Sequence, residues 1–340
     1  VRNYLIRRLI QSIVVILLVS LASFTLLNLL GDPFKELLMN PNVQQSTVAK
    51  LEHIYHWDMP FLARYFYWLK SFFLFQNGWG PSTTYLNETS LQLIAQRIGI
   101  TLTLSSLVLL LSLLISIPLG IYSALHQYSS TDSFVTVLAF FGMSMPVFWT
   151  GIVFIYLFSI FPVIHLGGHA ILPPGGMHST FLRMGQNVIE FYKAPIVYQI
   201  LNRAWCLVLP VIVLTLWNIG PWLRYQRSSM LEVIKQDYIR TARAKGLKER
   251  TIVYKHAFKN AIIPLITLLG LSLPGLIGGA LITETVFGID GIGRLTYNSV
   301  MGRDLFTSMS LIMVFSILVV IGNILADILY VIVDPRIKYQ

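Results

Sequence analysis

Few side chains in this sequence have the type and spacing to carry a reaction, and each has a plainer reading beside it. The run Gly288-Ile289-Asp290-Gly291-Ile292-Gly293-Arg294-Leu295 has the glycine density of a phosphate-cradling loop. It lacks the lysine and adjacent hydroxyl residue that such a loop aims at phosphate and Mg2+, so it reads as a tight turn. His165 and His169, with His178 beyond them, and the pair His53 and His56 are near enough in sequence to share a metal. Gly167-Gly168 breaks any helical pairing of the first two, and no carboxylate stands at ligand spacing; surface histidines and no metal site are expected. Cys206, the single cysteine, lies in an apolar run and reads as a packed thiol. Glu284 and Asp327 fall in or near long apolar segments, where ionisable groups are costly and often functional. For Glu284 a gate or substrate contact competes evenly with a hydrogen bond that fixes helix packing. For Asp327 packing is preferred, through Asn323, Tyr330 or a backbone amide. Ser144, Met145 and Pro146 read as a kink that lines a path, with simple packing as the alternative.

The elements that must position these residues are set by lipid. Of 340 residues 55% are hydrophobic and only 12% charged, against about a quarter charged in an ordinary soluble domain. Crossing about 30 Å of hydrocarbon takes about 20 apolar residues. Six segments qualify: Leu9–Leu30, Ile100–Leu125, Ser133–Phe161, Ala204–Leu223, Ala261–Val286 and Ser308–Val333. Barrel-like alternation is absent, and an open strand edge cannot survive in lipid, so the fold class is an all-α membrane protein with six transmembrane helices. Leu9–Leu30 is too long for a signal-peptide core and has no small-residue cleavage site, so it is read as a retained span. Pro118, Pro146, Pro210, Pro264 and Pro274 are expected to kink spans.

Lys and Arg placement orients the chain. With the amino terminus inside, the inner segments 1–8, 126–132, 224–260 and 334–340 carry 3, 0, 10 and 2 basic residues. The outer segments 31–99, 162–203 and 287–307 carry 5, 3 and 2 over a much greater length. Both termini are therefore expected in the cytoplasm. The basic excess is a topology signal and gives no support to nucleic-acid binding. Segment 31–99 holds surface helices with aromatic clusters (Tyr65 to Trp68, Phe72, Phe73) that would lie on the membrane or dock an external partner. Segment 162–203, with Pro173-Pro174-Gly175-Gly176, reads as an ordered outer cap or irregular loop. No internal repeat and no second domain is evident.

The loop 224–260 holds the sharpest pattern. Met230, Val233, Ile234 and Tyr238 share one helical face with charges opposite. A short helix over Tyr238–Lys245 ends at Gly246, and a third over Thr251–Lys259 leads into the fifth span. A basic loop could merely orient the chain. A compact helix–glycine–helix unit between two spans could instead sit in a groove of a soluble partner and pass motion into the bundle.

The run Asp237-Tyr238-Ile239-Arg240-Thr241-Ala242-Arg243-Ala244-Lys245-Gly246-Leu247, followed by His256-Ala257 and Asn260-Ala261-Ile262-Ile263-Pro264, resembles the coupling loop of ABC-importer permeases. More narrowly the chain is similar to the first permease subunit of the dipeptide/oligopeptide/nickel family. Gly31-Asp32-Pro33, Arg97 with Thr101-Leu102, Ser144 to Trp149, Glu284-Thr285-Val286-Phe287, Gly291-Ile292-Gly293, Arg303-Asp304 and Asp334-Pro335-Arg336-Ile337 extend the resemblance along the chain. It departs at Asp290 and Leu30, where the family usually has proline, and at Arg240, which replaces the glutamate of the general motif.

The resemblance implies a type I importer permease fold with one transmembrane domain over about 80–330. It implies half of a transmembrane path for di- or oligopeptides in the bacterial inner membrane, with nickel chelates or oligosaccharides as the alternative cargo. The implied partners are a homologous second permease, two cytoplasmic ATPases that use ATP and Mg2+, and an extracytoplasmic substrate-binding protein. The chain itself would be no enzyme and hold no cofactor. Tyr238, Arg240, Thr241, Ala242, Arg243, Ala244, Lys245, Gly246 and Leu247 would engage an ATPase, with Ala242 and Gly246 allowing close approach. Ser144, Met145, Pro146 and Glu284 are the path or gate candidates. An ion-coupled carrier would call for repeats and mid-membrane ionisable groups, and an intramembrane enzyme for paired catalytic groups in the spans; the sequence shows neither.

Overall fold

The computed structural model describes residues 2–32, 34, 35, 38, 44–85, 87–179, 181–184, 187–272, 275 and 281–333. Pro33, Pro274 and the stretch 334–340 with Asp334 and Arg336 lie outside the described residues. The helices are α1 (Arg2–Leu30), α2 (Gln45–Ile54), α3 (Phe61–Phe73), α4 (Ser90–Leu125), α5 (Ser130–Ser144), α6 (Val147–Ile155), α7 (Phe161–His165) and α8 (Ile196–Ile234). There follow α9 (Asp237–Ala244), α10 (Glu249–Thr251), α11 (Phe258–Ala261), α12 (Ile263–Ser272), α13 (Leu281–Val286), α14 (Ile292–Met301) and α15 (Leu305–Val333). Among the described residues five helical segments are long and apolar enough to cross a membrane, or six if a pair bent by 43° counts as one span.

That bend falls at Ile262, between 249–261 and 263–272. Pro264 has no N–H to return to the Asn260 carbonyl, so the helical ladder is interrupted there. The third expected span is likewise two pieces: α5 ends at Ser144, and Pro146 caps a new helix, α6. Further on, a π-type turn over Tyr156–Ile160 leads into α7. Pro162 cannot donate to the Phe158 carbonyl, which instead accepts from the Ile171 and Leu172 amides at 2.9 and 3.1 Å. This ties the start of segment 162–203 to the bundle. That segment also contains a hairpin, β1 (Phe181–Met184) and β2 (Asn187–Glu190), paired antiparallel. It adds two short strands to an otherwise helical fold.

Two helices overrun their apolar spans. The α8 helix has 39 residues, about 58 Å at 1.5 Å per residue, and α4 has 36. Thr89 starts α4 with a capping box, its hydroxyl accepting from the Gln92 amide while the Gln92 side chain accepts from the Thr89 amide.

Two apolar clusters form around the two ends of α4. At the end carrying segment 31–99, Phe24, Phe34, Trp57, Tyr65, Trp68, Phe72, Trp79 and Phe306 are buried together with Met309 and Leu295. Tyr65 and Trp68 of α3 thus pack on Phe24 of α1, and Trp57, just after α2, packs on Phe306 of α15, while Phe66 and Phe73 remain exposed. At the opposite end Ile121, Ala124, Met230, Ile239, Ala242, Ile252, Val253 and Ala257 form a compact cluster.

Candidate coupling site and membrane cavity

The helix–glycine–helix unit is built by its termini. After Ile234 the chain turns at Lys235 and Gln236 and restarts as α9. Tyr238 therefore leaves the α8 face that Met230 occupies, unlike the shared face expected. At the far end of α9, Gly246 has φ +74°. Its N–H donates to the Arg243 carbonyl and that of Leu247 to the Ala242 carbonyl, at 2.9 and 3.4 Å, which makes a Schellman stop. A Cβ at Gly246 would meet nothing within 4 Å. Glycine is required there by backbone conformation, not by space.

The amphipathic pattern then sorts the side chains. Ile239 and Ala242 turn inward on Met230, Ile121 and Ala124. Arg240, Thr241, Ala244, Lys245 and Leu247 are exposed on the other face. Ala242, expected as a point of close approach for another subunit, is 7% exposed and packs against the chain's own helices. Its small size lets α9 lie close on the turn Ile252–Ala257. Arg243 is engaged by Glu249 through two hydrogen bonds, Nη2 to Oε1 at 2.6 Å and Nε to Oε2 at 3.2 Å. That contact holds Glu249 below and Arg243 above their ordinary values. The Asn260 amide donates to the Tyr238 hydroxyl at 2.9 Å. The unit is therefore closed on itself at both flanks, with Arg240 and Lys245 facing outward.

A second link was not foreseen. Asp132, at the start of α5, accepts from Arg227 of α8 through Nε at 3.0 Å and Nη2 at 2.9 Å. Ser123 of α4 donates to the same carboxylate, and the Tyr128 amide does so at 3.0 Å. Arg227, chiefly, pulls the Asp132 carboxyl down to about 2; burial opposes that shift, and Ser123 and the Tyr128 amide add to it. Three helices are thereby braced above the α9 cluster. The only sequence signal was an acid beside a helix start, with its partner 95 positions away.

Between α4, α6, α8, α12 and α13 lies a cavity of about 580 Å3. Trp217, Asn218 and Trp222 of α8, Ser105 of α4, Ser272 of α12 and Thr283 of α13 line it with aliphatic neighbours; none of the described lining residues is charged. Asn218 donates its amide to the Leu214 carbonyl at 2.9 Å. Ser144, Met145 and Pro146 are not in the lining, although the next residue, Val147, is. The Ser144 hydroxyl is spent on the Phe140 carbonyl at 2.8 Å.

Glu284 also lies outside the lining, fully buried beside it. Its carboxylate accepts from the Thr101 hydroxyl at 2.8 Å and the Arg294 amide at 2.9 Å, and the Thr101 hydroxyl accepts from the Ile292 amide at 2.8 Å. An acid and a hydroxyl thus satisfy the free amides that open α14. A Cβ on Gly291 would lie 2.5 Å from the Thr101 hydroxyl and 2.6 Å from the Glu284 carboxyl carbon, which explains the glycine-dense run without any phosphate. Beside it Arg97 pairs with Asp290 at 3.0 Å. The geometry gives Glu284 a packing role. Asp327 pairs with Arg8 of α1 at 3.1 Å, a partner the sequence did not suggest. Among the described residues no group of three His, Cys, Asp or Glu side chains could hold a metal ion.

Residues 116–339, which contain the α9 unit, the Asp132 brace and the cavity's α8 wall, match the family of binding-protein-dependent transport system inner membrane components. The chain belongs to this family. The oligopeptide transport system permease protein AppB of Bacillus subtilis is 36% identical over 99% of both chains. A Brucella ovis protein named as a peptide permease is also 36% identical over 99% of both. Among solved structures, the inward-facing MetNI methionine ABC transporter covers 72% of this chain and 97% of its own, with a TM-score of 0.52 and 17% identity. At that identity the likeness concerns the fold alone: the two share the type I permease fold. The permease is accordingly a multi-pass inner-membrane transport subunit.

Proposed function

We propose that this permease forms half of a membrane path for di- or oligopeptides, with a homologous second permease as the other half. Two cytoplasmic ATPases using ATP and Mg2+ drive it, and an extracytoplasmic binding protein delivers cargo. Both termini and the α9 unit face the cytoplasm, in keeping with the basic residues of 224–260. The observation that carries this reading is the α9 unit: a self-closed, outward-facing helix seated on the ends of α4 and α8. Arg240, Thr241, Ala244, Lys245, Gly246 and Leu247 form its contact face. Ile239, Ala242 and the Asp132–Arg227 brace pass displacement into the bundle. The uncharged cavity suits the path, because a peptide backbone asks for dipoles and side chains of any sign must pass. The peptide cargo itself is supported by the names of the relatives.

Gly246→Trp tests it. A side chain there meets no neighbour but must hold φ +74°, a local strain of about 1–2 kcal/mol, so membrane levels of the variant are measured alongside and uptake is normalised to them. In proteoliposomes of the full transporter, uptake should fall about tenfold or more relative to ATP hydrolysed. Coupled uptake at the normal ratio would overturn the coupling assignment. External labelling of Lys248→Cys in intact cells would overturn the orientation.

A further inference from the structure

At the end opposite α9, a cavity of about 150 Å3 lies between α2, α3 and the turn 76–79 and is floored by aromatic rings. Arg64, Lys70 and His56 line it, and among the described residues no acidic side chain does. Two of its N–H donors, Nε of Arg64 and Nε1 of Trp68, are buried without an acceptor, and Trp68 as a whole is only 6% exposed. The neighbouring indole of Trp79, by contrast, donates to the Phe72 carbonyl at 2.9 Å. The Arg64 guanidinium sits over Trp57, its Cζ 4.8 Å from the ring centre, and no ion pair engages it among the described residues. Desolvated donors left open are unfavourable, so a native environment supplies an acceptor. With two cations and no acidic side chain among the described lining residues, that acceptor is an anion. Phe75, 66% exposed, lies tilted against Trp79 with ring centres 5.5 Å apart and offers an apolar contact beside the recess.

We propose that this recess binds a carboxylate that carries an apolar neighbour, accepting from Arg64 and Trp68 with Lys70 as the second positive charge. The recess is complete within this chain, so the proposal stands apart from the importer reading and its cargo. Two sources share the chemistry, the carboxyl terminus of a peptide and an acidic side chain.

The test uses the full chain in phosphatidylcholine nanodiscs with 5-fluorotryptophan in place of tryptophan, its 19F resonances assigned by Trp→Phe variants. N-acetyl-leucine should shift the Trp57 and Trp68 resonances saturably, and N-acetyl-leucinamide should not. A stronger response to the α-amide of N-acetylglutamate than to N-acetyl-leucine identifies the acidic side chain as the source; the reverse identifies the carboxyl terminus. Half-saturation should rise about tenfold in Arg64→Gln and, read at Trp57, in Trp68→Phe. Equal shifts from the leucinamide, inorganic phosphate as effective as the carboxylates, or unaltered binding in Arg64→Gln would each overturn it. If Arg64→Gln collapses the ligand-free Trp57 and Trp79 resonances, Lys70→Gln decides: weaker binding upholds the recess, unchanged binding overturns it.

Discussion

The two ends of this permease are held together by different physics. The end carrying α2 and α3 is an aromatic pack: Phe306 alone meets Phe34, Tyr55 and Trp57 at centroid distances of 5.4 to 5.6 Å. Its buried acid, Asp304, is clamped by the Ser82 hydroxyl and the Thr307 amide, and burial raises its carboxyl above the ordinary value. The α9 end has a thinner apolar cluster and relies on charge, with Asp132 on Arg227 and Arg243 on Glu249. Apolar packing is non-directional and tolerates no gap, whereas an ion pair fixes orientation and is weakened by acid or salt. A frame is suited by the first and a transmitting joint by the second.

The largest expected effect is at the aromatic end. Phe306→Ala should cost about 3–5 kcal/mol, read as a lower unfolding temperature in detergent, with little change between low and high salt. A salt-sensitive loss would erase the contrast. Next comes Arg227→Ala, which strands a buried carboxylate and should cost about 3 kcal/mol; adding Asp132→Asn should recover part of it. If the second change made matters worse, the brace would not be electrostatic.

Acid sharpens the same point. Asp132 titrates at about 2, below its ordinary 3.8, so its contribution is full at neutral pH and lost as pH falls from about 4 towards 2. The stability gap between the natural chain and Asp132→Asn should close over that window; a gap constant with pH would refute the assignment. The smallest effect is expected for Glu249→Gln. Both members of that pair are well exposed, so stability should change by less than about 1 kcal/mol. Transport per ATP should nonetheless drop, because the α9 unit loses its flank. Unchanged coupling would reduce the pair to surface decoration.

Hydropathy made the spans legible because lipid imposes length and apolarity on each segment separately. It could not show that α8 runs from Ile196 to Ile234, since the extensions are amphipathic and ordinary in composition. Nor could it show that the third span is broken at Met145-Pro146, as proline also occurs in merely kinked helices. The run 237–247 was legible as a short helix stopped by glycine, but not that Ala242 would be covered by the chain's own side chains. Which side of a short helix is covered depends on Ile121 and Ala124, more than a hundred positions earlier. Glu284 was ambiguous for the same reason: its hydroxyl partner Thr101 is 183 positions away.

The length of α8 carries a mechanical corollary. A rod of about 58 Å pivoting at its waist by 5° swings each tip about 2.5 Å, and in opposite senses. Were α8 to move as one body in spite of Pro210 and Pro221, drawing one tip inward would splay the other, so that an opening at one surface would narrow as its counterpart widened.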